Sequence, residues 1–180
     1  YLAPGFEFKV VDPETGEEQP VSEPGEIVFR GYGMMMGYYK KPAETADCYD
    51  ADGWFHTGDT GVVRADGYLR FLGRYKDMLK VGGENVAALE IESFLLRHPA
   101  VSIAAVVAAP DAYYTEVPAA FIQRAPGASV SEQELIDFCL DDISTYKVPR
   151  YVRFIEEWPM SGTKIKKYVL REQIARELTE

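Results

Sequence analysis

The sequence predicts a mixed α and β protein in two parts: a small β-rich subdomain, then a compact α+β domain whose short sheet is covered by helices. Three observations carry that expectation. Residues 1–72 hold short apolar runs bounded by Gly-, Pro- and Asp-rich turns, the pattern of strands. From residue 74 onward, strand-like runs alternate with segments of helical periodicity. Between the two, residues 73–92 read GRYKDMLKVGGENVAALEIE, where charges and a Gly-Gly step interrupt both patterns.

With 180 residues, 47% of them hydrophobic and 27% charged, the chain suits a soluble protein with one ordinary domain or two small ones. A net charge of -10 argues against a nucleic-acid surface, which needs a basic face. It leaves room for an anionic ligand, since a few local cations suffice. Cys48 and Cys139 stand far apart and in no metal-ligand spacing. Cys139 falls in an apolar helical pattern and is expected to be a buried free thiol. No disulfide framework, signal peptide or membrane-crossing run is expected, which fits a reducing cytoplasm. The chain enters a strand pattern directly at Tyr1, without an initiator Met, and reads as a fragment of a longer protein.

Taken in order, Phe6, Phe8 and Val10 alternate with Glu7, Lys9 and Val11 as a half-buried strand, and residues 12–16 form a turn. Residues 25–31 make a second strand. Met34, Met35 and Met36 are expected to pack onto a core, because Met fills irregular gaps. Residues 42–49 allow one or two helical turns. Residues 54–57 and 61–64 read as short strands, with a loop between them. Ala65-Asp66-Gly67 turns the chain into the strand of residues 68–72, which Gly73 ends. Asn85 reads as the N-cap of a helix through Leu89, Ile91, Phe94 and Leu95 to His98, stopped by Pro99. The continuous apolar run 101–107 suits a buried central strand, and 117–122 and 151–155 two more. Ser131 and Glu134 form a capping box for a helix facing inward with Leu135, Phe138, Cys139 and Ile143. Leu170, Ile174 and Leu178 mark the inner face of a last helix.

Three ordered motifs resemble one family. Gly73-Arg74-Tyr75-Lys76-Asp77-Met78-Leu79-Lys80, followed by Gly83-Glu84-Asn85-Val86 and Glu90-Ile91-Glu92, is similar to the hinge motif of the adenylate-forming superfamily. That superfamily comprises acyl-CoA synthetases, peptide-synthetase adenylation domains and luciferases. Gly53-Trp54-Phe55-His56-Thr57-Gly58-Asp59-Thr60-Gly61 resembles its ribose-binding motif. Residues 146–150 and 159–165 resemble its C-terminal lysine region. The resemblance covers essentially the whole chain. It implies that residues 1–73 are the end of a large N-terminal domain, closing in a distorted barrel. Residues 74–80 would then be a hinge, and 81–180 a mobile C-terminal domain. The phosphate-gripping loop and the acyl and adenine pockets would lie upstream.

The resemblance also implies roles. Asp59 would accept hydrogen bonds from both ribose hydroxyls, which a carboxylate does well. Read locally, it is a turn residue capping its own backbone. Arg74 would also contact the ribose. Lys76 would be the hinge, with Asp77 the alternative pivot; such a site needs backbone tolerance more than side-chain chemistry. Gly82, Gly83 and Glu84 would line the pantetheine path, with Lys147 and Arg150 meeting coenzyme A phosphates. Lys164 would be the catalytic residue, offsetting the repulsion between a carboxylate and the α-phosphate of ATP. Read locally, Lys164, Lys166 and Lys167 are a solvated basic cluster. His56 reads as structural.

Two features depart from the family pattern. Ala88 replaces its usual Pro. Thr163 replaces the Gly before its lysine, in a loop one residue shorter, which keeps Lys166 open as the alternative to Lys164. The expected activity is an acyl-CoA synthetase using a carboxylic acid, ATP with Mg2+ and coenzyme A, with no prosthetic group and no metal held by the protein's own residues. The alternatives are an adenylation domain loading a separate carrier protein, and a non-catalytic nucleotide-binding or interaction module.

Overall fold

Half-buried, period-two segments build the first part of the chain as a sheet. The computed structural model describes residues 3–140 and 142–179. These divide into two compact units, Tyr1–Lys76 and Asp77–Glu180. In the first, strands β1 (Phe6–Val11), β2 (Pro24–Gly31), β3 (Phe55–Val63) and β4 (Leu69–Arg74) form an antiparallel sheet in sequence order. β1 and β4 lie at its edges, and closure into a barrel is not among the pairings the described residues make. A short helix, α1 (Pro42–Ala46), starts on proline, whose missing N–H is not needed in a first turn. Asp12 closes the β1–β2 turn by accepting from the amides of Glu14 and Thr15 at 2.8 and 2.9 Å. Trp54 has two cations near its ring, with Lys9 Nζ 4.6 Å and Arg30 Cζ 4.4 Å from the ring centroid.

Three expectations for this unit change. Phe55–Val63 form one strand, β3, and not two strands around a loop, because both neighbours hydrogen-bond along it through bulges. Gly73 does not end β4, which pairs on to Arg74. The Met run is only partly packed: Met34 and Met35 are half-buried, while Met36 is fully exposed.

The second unit is a three-layer arrangement. β5 (Met78–Val81) and β6 (Glu84–Ala87) form a hairpin, followed by α2 (Ala88–Leu95). Strands β7 (Val101–Asp111) and β8 (Thr115–Arg124) form a long hairpin, with β8 inside the sheet and β7 at its edge, not at the centre as expected. After α3 (Glu132–Leu140) and a single 3-10 turn (Thr145–Lys147) comes β9 (Tyr151–Phe154), parallel to β8. A miniature hairpin, β10 (Met160–Ser161) and β11 (Lys164–Ile165), leads into α4 (Lys167–Glu177). The sheet order is β6-β5-β8-β7, and β9 shares the β5 side of β8.

The apolar run in β7 is explained by burial on both faces. Val106 and Ala108 join the core under α2 and α3, whereas Ala105, Val107 and Ala109 join the core under α4. The capping box forms: the Ser131 amide donates to Glu134 Oε2 at 2.8 Å, and the Glu134 amide to Ser131 Oγ at 3.2 Å. Leu170 and Ile174 are wholly buried, but Leu178 lies beyond the end of α4 and stays partly exposed.

The largest difference concerns Asn85. It caps no helix but pairs with Lys80 inside β6, and α2 begins only at Ala88. Gly82 and Gly83 take φ of +59° and +92°, which makes a tight two-residue turn and folds the following residues back as a strand. Among the described residues no helix is long and apolar enough to cross a membrane.

Burial separates the two cysteines. Cys139 is buried in the α2–α3 core, and desolvation pushes its thiol up to about 11, so it stays protonated at neutral pH. Cys48 is half-buried. At pH 8 a disulfide reagent should therefore label Cys48 alone, with Cys139 reacting only after denaturant is added. Labelling of both thiols at similar rates in the folded protein would contradict the packing of α3.

Candidate functional site

Asp59 lies in the middle of β3, directly opposite Arg74 of β4. The pairing depends on a bulge: Thr60 faces Gly73 and Gly61 faces Phe71, so Leu72 is the extra residue. Such a bulge re-aims the side chains beyond it. Arg74 Nε stands 3.2 Å from Asp59 Oδ1, at ion-pair distance but poorly aligned for a hydrogen bond. Among the described residues Oδ1 is therefore a buried acceptor with no hydrogen-bond donor, and Thr60 Oγ1 is likewise buried without a partner. Both charged side chains keep solvent contact, at 51% for Arg74 and 30% for Asp59.

The backbone beneath Asp59 is braced from β2. Glu26 accepts from the Gly58 amide at 2.9 Å and holds His56 Nδ1 at 2.8 Å. Thr57 Oγ1 donates to the Ile27 carbonyl at 2.7 Å and accepts from the Asp59 amide at 3.0 Å. Gly58 has φ of +68°, with open space where a Cβ would point. Among the described residues Asp59 makes no bond that caps its own turn, and its side chain is partly exposed with Oδ1 buried. Glu26 and Thr57 were not marked by sequence reasoning. Glu26 sits in an ordinary strand pattern, and its partners lie some thirty residues away. His56 takes the structural place expected of it.

Lys76 and Asp77 lie in a single 3-10 turn (Tyr75–Asp77), where one compact unit gives way to the next. Lys76 is exposed and Asp77 half-buried. Gly82 and Gly83 form the β5–β6 turn, with the Gly82 amide donating to the Tyr114 carbonyl at 2.9 Å. Gly83 is open to solvent, and Glu84 beside it is exposed. The turn borders a groove of ≈ 200 Å³ lined by Val81, Tyr114, Pro118, Tyr146, Val148 and Arg150, among others. Arg150 Nη1 is 3.7 Å from Asp111 Oδ2. The amides of Tyr114 and Tyr113, with a smaller contribution from Arg150, hold the Asp111 carboxyl below its ordinary range. Lys147 does not line the groove. Its Nζ is taken up by both Glu90 oxygens, at 2.7 and 2.9 Å.

Lys164 opens β11, opposite Ser161, across a turn in which Gly162 has φ of +58°. Its side chain is exposed and has no carboxylate partner among the described residues. The three neighbouring lysines are not equivalent. Lys166 is half-buried, and its amide closes the base of the hairpin on the Pro159 carbonyl at 2.7 Å. Lys167 Nζ lies 2.6 Å from Glu92 Oε1. No group of three or more His, Cys, Asp or Glu side chains is assembled to hold a metal ion among the described residues.

Comparison with known proteins identifies the family. Residues 1–39 match the AMP-binding enzyme family, and residues 90–164, up to Lys164, match the AMP-binding enzyme C-terminal domain. The chain is 47% identical over 171 residues to the putative acyl-CoA synthetase YngI of Bacillus subtilis, covering 94% of this chain and 31% of that protein. Among solved structures it resembles the anthranilate CoA ligase AuaEII in complex with anthranoyl-AMP, with a TM-score of 0.89 and 35% identity. That likeness covers 98% of this chain and 35% of the other. It also resembles ATP-bound MatB from Rhodopseudomonas palustris, with a TM-score of 0.87 and 35% identity over 96% of this chain and 34% of that one. The chain spans about a third of the length of the curated relatives it matches. On these motifs, folds and matches, the chain belongs to the adenylate-forming, AMP-binding enzyme family and carries that family's C-terminal domain.

Proposed function

We propose that the full-length protein is an AMP-forming acyl-CoA synthetase, and that this chain supplies its ribose contacts, hinge, pantetheine path and adenylation lysine. The observation that carries the reading is the Asp59–Arg74 pair, a buried carboxylate oxygen with no hydrogen-bond donor among the described residues, beside a partly exposed guanidinium. Ribose hydroxyls are donors that such an acceptor lacks, and the fork of Arg74 suits sugar or phosphate oxygens.

In the first half-reaction a substrate carboxylate oxygen attacks the α-phosphorus of Mg-ATP. The bond to the β-phosphate breaks and pyrophosphate leaves, giving acyl-AMP. Lys164 would stabilise the charge that develops on the α-phosphate as two anions combine. In the second half-reaction the thiol of coenzyme A, losing its proton, attacks the acyl carbonyl and AMP leaves. Gly82, Gly83 and Glu84 would flank the thiol arm, with Arg150 at the groove beside them. Lys147, bound to Glu90, would act by holding this region together and not by meeting phosphate. A turn at Lys76–Asp77 would let the C-terminal unit change pose between the two steps. The reading is supported by relatives named as CoA ligases, and two free cysteines agree with a reducing cytoplasm.

Two experiments on the full-length protein test it. Lys164→Ala should slow acid-dependent pyrophosphate release about 100- to 1000-fold, while transfer from supplied acyl-AMP to coenzyme A persists. A comparable selective loss in Lys166→Ala, with Lys164→Ala active, would move the role to Lys166. Asp59→Asn should lower kcat/KM for ATP roughly 10- to 100-fold, the expected loss of a hydrogen bond to a charged group. An unchanged value would remove Asp59 from the nucleotide site. Acyl transfer to a carrier protein but not to coenzyme A would replace the synthetase with a carrier-loading enzyme.

A further inference from the structure

The hairpin that carries Lys164 has little core of its own. Its strands are two residues each, and its turn is exposed. What fixes it lies at its two ends. On the incoming side, Trp158 Nε1 donates to Gln123 Oε1 of β8 at 2.7 Å, and the indole packs on the core under α4. On the outgoing side, Lys167 is the first residue of α4, and its Nζ lies 2.6 Å from Glu92 Oε1.

Glu92 is unusual. It is a helical carboxylate only 8% exposed, on α2, and the same Oε1 accepts the Val106 amide at 2.6 Å. β7 is the last strand of its sheet, so that amide belongs to an open edge with no further strand to receive it. One carboxylate therefore joins α2, the edge of β7 and the first turn of α4, which lie in three different layers. A buried ion pair adds little stability compared with apolar residues of similar size. What it does supply is a fixed geometry, since neither charge can be left without the other.

We infer that Glu92 and Lys167 are positioning residues for Lys164. The pair locks the start of α4 to the sheet edge, and the hairpin, ending one residue before Lys167's neighbour Lys166, takes its place from that lock. The inference rests on the assignment of Lys164 to acyl-AMP formation. A displacement of about 1 Å in a reacting group can cost on the order of 100-fold in rate, so loss of the lock should reach the chemistry.

The test uses the full-length protein and measures both half-reactions separately, along with melting temperature and hydrogen exchange of residues 158–168. Lys167→Met should slow acyl-AMP formation about 10- to 100-fold, leave transfer from supplied acyl-AMP unchanged, and speed exchange in the hairpin. Lys167→Arg should recover most of the rate. The double variant Glu92→Gln with Lys167→Met removes the stranded buried charge while Gln still accepts from Val106. It should regain melting temperature yet remain slow in adenylation. Equal losses in both half-reactions, or a double variant whose adenylation returns with its stability, would reduce the pair to a structural one and overturn the inference. If Lys164→Ala itself leaves acyl-AMP formation intact, the lysine assignment fails separately. The exchange data then decide whether the lock exists: faster exchange confined to the hairpin upholds it, and unchanged exchange overturns it.

Discussion

The constraint on which the C-terminal unit depends is that β7 and β8 are apolar on both faces. Val106 and Phe121 are almost fully buried but point into different cores, one under α2 and α3 and the other under α4. Exposing either face would leave several aliphatic side chains in water, at about 1.5–3 kcal/mol for each large one. The chain must therefore deliver helices to both sides. α2 and α3 come first and cover one face, so the segment after β9 has to pass to the other. The β10–β11 hairpin is part of that passage, and Ile155, Trp158 and Ile165 pin it to the second core on the way. The lysine proposed for adenylation is exposed on a crossover whose Ile155, Trp158 and Ile165 turn inward while Met160 stays exposed.

The first unit is held differently. Its buried hydrophobic cluster is small, built on Val11, Val28 and Trp54, and Tyr32, Met36 and Tyr39 are strongly exposed. Order around Asp59 comes from polar bracing more than from apolar packing. Glu26 fixes Gly58 and His56, and Thr57 bridges Ile27 to the Asp59 amide. These bonds satisfy the backbone next to Asp59 without using its carboxylate. The leucine bulge on β4 then sets Arg74 opposite it. A carboxylate used to cap its own turn would not be free for a ligand, and the bracing by Glu26 and Thr57 removes that use.

How much of this was legible depended on whether the deciding interaction was local. The Ser131–Glu134 capping box and the burial of β7 on both faces are set within a few residues and were read correctly, but β7 lies at the edge of its sheet and not at the centre, because only β8 pairs with it. Asn85 was not, because its type suits a helix cap and its neighbours Leu89 and Ile91 do belong to a helix. What decided the matter was the Gly82–Gly83 turn and the Gly82 amide's bond to Tyr114, some thirty residues on. A Gly-Gly step between alternating apolar residues is itself a hairpin signal, and it outranked the cap. Asp59 and Arg74 were identifiable from their motif, but their direct pairing was not, since it needs Gly73 inside the strand and Leu72 as a bulge. Glu92 was marked only as the end of the hinge motif; Val106 and Lys167, both remote in sequence, make it a buried junction.

The lysines show why structure sharpens a sequence motif even where their general region is plain. In a chain of net charge -10, several cations find a carboxylate. Lys147 is bound by both oxygens of Glu90, and Lys167 by Glu92. Each ion pair lowers the field its ammonium can offer to anything else, because the carboxylate's opposite charge lies within about 3 Å. Joining a carboxylate to a polyphosphate requires positive charge that has not already been compensated. Lys164, exposed and without a carboxylate partner among the described residues, meets that requirement. The paired lysines around it serve better as anchors than as electrophilic helpers. The same residue type is thus divided between paired lysines that anchor and an exposed lysine without a carboxylate partner among the described residues, and the division follows from which carboxylates the fold places nearby.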